Sequence, residues 1–264
     1  MAATSTRPPA DGSRNRRVVI SAGLLFALST APGAAEATPA AGAPSCPEDM
    51  RLVEGTHHEQ LQRICTDYRR SRCWAFAPEL VMLEPRHAPV RVCMDRYEWP
   101  NRAGALPQVM MRFVEAEASC ASVGKRLCRE FEWEVACEGP HYFPWPYGWK
   151  KEEGRCNVEQ LYRGYDWNKL ASSDPAVRER EVRRLWQGAP SGSFPGCESP
   201  FGVADLVGNV EEWVLTDRPE WPYRSGLKGG YWSKSWAACR GTNERHGGQF
   251  RFYEIGFRCC RAPQ

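Results

Sequence analysis

The stretch Gly124-Lys-Arg-Leu-Cys-Arg-Glu-Phe-Glu-Trp-Glu-Val-Ala-Cys-Glu-Gly139 sets the plan of the chain. From about Arg129 to Cys137 it reads as a helix. Trp133 and Cys137, four apart, share one face, and Gly139-Pro140 ends the run, so Cys137 is expected to point inward. Just upstream, Phe113, Ala116, Cys120 and Val123 recur at spacings of three and four and are closed by Gly124, which predicts a second helix with Cys120 on its core face. Downstream, Asp174 as N-cap and Pro175 at the first helical position predict a third, polar helix through Val182, Leu185 and Trp186 to Gly188. Its Arg and Glu residues read as a solvated face. Elsewhere regular elements are expected to be short and turns frequent. The 11 tryptophans supply the buried area that such a loop-rich fold needs.

The 264 residues are enough for one domain and a removable leader. Arg7, Arg14, Arg16 and Arg17 precede a short apolar run from Val18 to Leu28, and Ala35-Glu36-Ala37 offers a cleavage site, the pattern of a signal peptide over residues 1–37. The run is too short to span a bilayer, and no later segment qualifies, so no membrane span is expected. Arg16-Arg17 also suits the twin-arginine route, although a basic leader alone explains the pair, and the general export route is preferred. Residues 38–45, rich in Ala, Pro and Gly, read as a tether, with the domain over 46–264. Without the leader, 31 basic residues face 30 acidic ones, and the formal charge falls from +3 to +1. That near-neutral balance argues against nucleic acid as a partner. All 12 cysteines follow the leader, and an even count in an exported chain, periplasmic or extracellular, points to disulfides.

Several ordered motifs carry a family resemblance. They are Met50-Arg-Leu-Val-Glu-Gly55, Met94-Asp-Arg-Tyr-Glu-Trp-Pro-Asn101, Gly124 to Gly139, Pro144-Trp-Pro-Tyr-Gly-Trp149, Cys156-Asn-Val158, Phe201-Gly-Val-Ala-Asp-Leu-Val-Gly-Asn-Val-Glu-Glu-Trp213, Leu227-Lys-Gly-Gly-Tyr-Trp232 and Gly256-Phe-Arg-Cys-Cys260. Together they cover nearly all of residues 46–261, and the chain resembles the formylglycine-generating enzyme, or sulfatase-modifying factor, family. The resemblance implies a compact, loop-rich, disulfide-stabilised α+β fold, distantly C-type-lectin-like.

For activity, the resemblance implies oxidation of a sulfatase cysteine at a copper ion held by two cysteines just after the pair matching Gly229-Gly230. Here only Cys239 lies between Gly230 and Cys259. Counted forward, Cys239 takes the place of the second copper cysteine and Lys234 that of the first. Counted back from Cys259, Cys239 takes the place of a structural cysteine. Either way one thiolate is missing, and copper is not supported. The backward count implies the pairs Cys120–Cys259 and Cys137–Cys239, while partners for Cys46, Cys65, Cys73, Cys93, Cys128, Cys156, Cys197 and Cys260 stay open. The competing reading makes Cys239 a nucleophile activated by Arg240, Arg245 and His246. The resemblance also implies a calcium site at Asn209 and Glu212 and part of a second at Asn157 and the Val158 carbonyl, whose acidic ligand aligns near Arg183. A hydrogen-bonded turn asparagine and an ion-paired glutamate explain Asn209 and Glu212 equally well, and both readings stand at this point.

The five histidines show no zinc spacing, and neither a phosphate loop nor a Gly-x-Ser-x-Gly turn occurs. Two functions from different classes follow. One is a binding or structural module that uses the surface around Trp232, Lys234 and Trp236 for a protein, peptide or sugar. The other is an oxidoreductase of the formylglycine-generating type.

Overall fold

The structure, a computed structural model, describes residues 45–82, 87–217 and 223–264. The leader over 1–37, and the tether apart from Ser45, lie outside the described residues. The described part falls within the single compact unit spanning 42–264.

Three short sheets carry the chain. β1 (Met50–His58), β4 (His87–Asp95), β9 (Cys259–Arg261) and β5 (Arg126–Leu127) form an antiparallel sheet in the order β1-β4-β9-β5. β2 (Leu61–Arg69) and β3 (Arg72–Met82) pair as a hairpin, and β7 (Ser225–Lys228), β6 (Glu211–Leu215) and β8 (Ile255–Phe257) form a third sheet in which β6 and β8 run parallel. In β4 the alternation buries Val90, Val92 and Met94 on one face, where they join Val53 of β1 and Trp133 and Ala136 of the central helix in one cluster.

The helices follow the sequence periodicity closely. α1 is Phe113–Ser122, with Phe113, Ala116 and Cys120 buried, and α2 is Glu130–Glu138. Each start is held by a glutamate reaching back to the N-cap amide, Arg112 N to Glu115 at 2.8 Å and Arg129 N to Glu132 at 2.8 Å. α3 (Trp167–Leu170) is a single turn, and α4 (Pro175–Leu185) is capped by Asp174, which accepts from the Ala176 amide at 2.8 Å.

α2 departs from a simple amphipathic helix. Glu130, Glu132, Glu134 and Glu138 are all buried on it, and each has a partner. Arg126 bonds Glu132, Lys228 and His57 hold Glu134 at 2.7 and 2.8 Å, and Arg63 and Arg240 clamp Glu138. Burying four carboxylates on nine residues is tolerable only because three find cationic partners and Glu130 accepts from the Thr242 hydroxyl.

Six disulfides stitch these elements together: Cys46–Cys93, Cys65–Cys73, Cys120–Cys259, Cys128–Cys260, Cys137–Cys239 and Cys156–Cys197. Three of them fasten α1, the β5–α2 turn and α2 to the C-terminal third of the chain. The architecture is α+β, rich in loops and cross-linked by sulfur. No described helix is long and apolar enough to cross a membrane.

Candidate functional site

The turn leading into β6 is built for close approach. Gly208 has φ +81°, and a Cβ there would lie 2.3 Å from the Asn157 carbonyl oxygen, so only glycine fits. Asn209 follows at φ +54° and uses its whole amide. Its Oδ1 accepts from Asn157 Nδ2 at 3.0 Å and from the Ala189 amide at 2.8 Å, while its Nδ2 donates to Glu98 Oε1 at 2.8 Å and to the Ala189 carbonyl at 3.2 Å.

Glu212, on β6, is equally engaged. Arg258 grips it from Nε and Nη2 at 2.7 and 2.6 Å, Trp133 Nε1 donates at 2.8 Å, and both charged side chains are buried. The remaining Arg258 donors reach the Asp95, Arg96 and Ala204 carbonyls. These residues do not fit the calcium ligand set expected at Asn209 and Glu212, because their side-chain oxygens already accept from protein donors and a guanidinium supplies the positive charge. At Asn157, Oδ1 accepts from Gln160 and the carbonyl from the Asn209 amide, and Val158 packs its side chain on the core. Arg183, near which the acid was expected, instead pairs with Glu179. In the structure Asn209 is a hydrogen-bonded turn residue and Glu212 an ion-paired glutamate.

Two further acids lie buried in this region. Ser191 Oγ donates to Glu98 at 2.6 Å and the Gly192 amide to Asp205 at 2.6 Å. Burial holds both carboxyls above their usual range, and the Asp205 charge raises Glu98 further.

Cys239, the weak catalytic candidate, carries no thiol in the structure. It is bonded to Cys137 and fully buried, and no free cysteine is found among the described residues. Arg240 turns instead to Glu138, at 2.7 and 3.1 Å. Arg245 and His246 line a separate open cavity of about 530 Å³ with Tyr223 and Phe250.

The three residues expected to form one ligand surface are dispersed. Trp232 is 0% exposed and packs on Trp186 and Tyr253 at centroid distances of 5.0 and 5.9 Å, so it belongs to the core. Trp236 packs edge-on against Trp74 and Trp145, both at 5.8 Å. The Lys151 ammonium sits 5.0 Å from the Trp236 ring and 4.5 Å from the Trp74 ring, so the protein's own cation already fills that aromatic corner. Lys234 alone is exposed. It follows the Gly229-Gly230 turn, where its amide donates to the Tyr231 carbonyl at 2.8 Å.

What gathers beside Lys234 is a pair of acids that the sequence reading did not single out. Glu211 opens β6 and Glu254 immediately precedes β8. Because those strands pair in parallel with Glu211 opposite Ile255, the two glutamates come to the same end of the sheet, and the Glu211 amide donates to the Glu254 carbonyl at 2.9 Å. They are 5% and 7% exposed. Among the described residues Glu254 Oε2 has no hydrogen-bond donor, although the Glu254 side chain has the Tyr253 side chain as a hydrogen-bond partner, and Glu211 accepts from Asn243 at 3.5 Å. Burial, then the Glu211 charge, pushes the Glu254 carboxyl up to about 8. Burial also raises Glu211, against the pull of the Lys234 charge. The phenols of Tyr231 and Tyr253 are pushed up by burial and then by Glu254. The signal legible in the sequence was Glu211-Glu212 entering an apolar strand: neighbouring strand residues face opposite ways, so one acid meets Arg258 and the other needs a different environment.

Residues 56–263 match the model of the sulfatase-modifying factor enzyme 1-like domain. The chain belongs to that family. It is 29% identical over 168 residues to the inactive C-alpha-formylglycine-generating enzyme 2 of Bos taurus, covering 62% of this chain and 48% of the relative. It is 30% identical over 119 residues to the formylglycine-generating enzyme of Mycobacterium tuberculosis, covering 44% of this chain and 35% of that protein. The chain thus spans less than half the length of these curated relatives. Among solved structures, PvdO from Pseudomonas aeruginosa superposes with a TM-score of 0.47 at 19% identity, covering 77% of this chain and 91% of that one.

Proposed function

We propose that this sulfatase-modifying-factor domain is an exported binding module rather than a copper-dependent cysteine oxidase. One observation carries the reading. The single cysteine in the loop after Gly230 is bonded to Cys137, and a copper dithiolate needs two free thiolates at that place. The name of the bovine relative, an inactive formylglycine-generating enzyme, supports it. Export is supported by six disulfides, which form and persist in oxidising compartments such as the periplasm or the extracellular space.

A binding role suits the site geometry better than catalysis does. The exposed rim carries Leu161, Tyr162, Tyr165 and Trp167, which present apolar area to a partner, while Glu211, Glu254 and Lys234 supply the few polar groups that orient a ligand. The test is direct. The purified chain, reduced or not, is incubated with copper, oxygen and a peptide bearing the sulfatase motif, and the peptide is weighed by mass spectrometry. The expected spectrum contains no aldehyde; its appearance would refute the module reading.

A further inference from the structure

We infer that the open cavity between the entry to β7 and the loop leading to β8, lined by Tyr223, Arg245, His246 and Phe250, binds a carboxylate carried on an aromatic ring, with the Arg245 guanidinium as its counter-charge and the stacked rings of His246 and Phe250 as its apolar wall. The cavity holds about 530 Å³, within the roughly 300–1,000 Å³ of small-molecule sites.

The wall is held in place from several sides. His246 and Phe250 lie face to face, 3.8 Å between centroids at 9°, and Phe250 continues onto Phe252 at 5.7 Å. The Phe250 amide closes the turn by donating to the Gly247 carbonyl at 2.9 Å, and Ser225 Oγ ties the loop to β7 by donating to the His246 carbonyl at 3.0 Å. A Cβ at Gly247 would lie 3.1 Å from the Tyr223 ring and one at Gly248 3.4 Å from the Phe113 ring of α1, so the bare backbone lets the loop pass between those two rings. A surface fixed in this way orders little on binding, which keeps the cost of association low.

The charges choose the ligand. No acid lines the cavity. Arg245 is exposed, its amide donates to Asn243 Oδ1 at 3.3 Å, and among the described residues its guanidinium pairs with no carboxylate. Burial, then the Arg245 charge, holds the His246 imidazole below its usual range, so near neutral pH Arg245 is the one formal charge on the wall. A single guanidinium matches a carboxylate through two parallel hydrogen bonds, whereas a phosphate dianion would leave a second charge without a partner. A neutral sugar would cover the rings and leave the arginine without a counter-charge. An aromatic acid satisfies both, since its ring can stack on the imidazole while its carboxylate meets Arg245.

The experiment uses the whole chain and two probes of nearly the same shape, 3-phenylpropionate and its uncharged amide, followed by calorimetry and ligand-observed nuclear magnetic resonance near neutral pH. The acid is expected to bind about tenfold more tightly than the amide. Arg245→Gln, with its fold checked by near-ultraviolet circular dichroism, is expected to abolish that preference. His246→Ala is the second variant and is expected to weaken both probes several-fold while keeping the preference. The peptide Gly-Gly-Phe, compared with its carboxamide, separates the two sources of such a group: a matching preference assigns a chain end, and none assigns a free acid. Acid and amide binding within about threefold of each other, a preference that survives Arg245→Gln, or no binding of the acid at tens of millimolar would overturn the inference. The site shares no residue with the stretch from Gly230 to Cys239, so that failure leaves the module reading standing, just as aldehyde formation would sink the module reading and leave this site intact.

Discussion

Removing the Cys137–Cys239 bridge by the double substitution Cys137→Ala/Cys239→Ala is expected to cost several kcal/mol, and the structure sets how many. The two cysteines are 102 residues apart, which in isolation corresponds to about 4.7 kcal/mol of unfolded-chain entropy. The other bridges shorten the loop. A shorter path runs nine residues back from Cys137 to Cys128, across that bond to Cys260, and 21 residues back to Cys239, a closed loop of about 30 residues. The same relation then yields about 3.6 kcal/mol. For a domain of this size each kcal/mol moves the midpoint by about 2–4 °C, so a fall of about 7–14 °C is expected. The assay is thermal and guanidinium unfolding without reductant, paired with a thiol count on the denatured, unreduced parent. A loss below about 1 kcal/mol, or two reactive thiols in that parent, would refute the pairing and reopen Cys239 as a reactive group.

Stability is also expected to fall as pH rises, the opposite of most carboxylate effects. Glu254 binds its proton more tightly folded than unfolded, so its contribution is intact below the ordinary carboxylate range near 4.5 and is lost as pH climbs towards 8, up to on the order of 5 kcal/mol for one such buried acid. Glu98 acts in the same direction. Denaturant titrations at pH 5 and pH 8.5 should show the decline, and Glu254→Gln should flatten it; equal slopes for parent and variant would contradict the assignment. Arg258→Met leaves the buried Glu212 charge without its cation, removes a donor from the Asp95, Arg96 and Ala204 carbonyls, and is expected to cost about 3–5 kcal/mol. Adding Glu212→Gln, which removes the charge but still accepts from Trp133, should recover part of that loss, and no recovery would show that the ion pair is not the reason.

The amino-acid order alone was enough to place the three longer helices within about three residues of their ends at Ser122, Glu138 and Leu185, because helix periodicity and caps act over a few residues and are written locally. The ordered motifs were enough to name the family, and the resemblance also implied the cysteine pairs that the structure contains at Cys120–Cys259 and Cys137–Cys239. What each polar side chain does was decided elsewhere. In the sequence Asn209 and Glu212 read equally well as calcium ligands or as an internal network, and the group that grips the Glu212 carboxylate in the structure, Arg258, lies 46 residues away. Trp232 and Lys234, two residues apart, differ completely, one sealed under Trp186 and the other in solvent, because a loop has no period to foretell which way its side chains turn. Glu211 and Glu254 become neighbours only when β6 and β8 pair in parallel. The electrostatic character of a buried acid depends on every group that packs around it, and those groups are brought together by long-range folding rather than by adjacency in the chain.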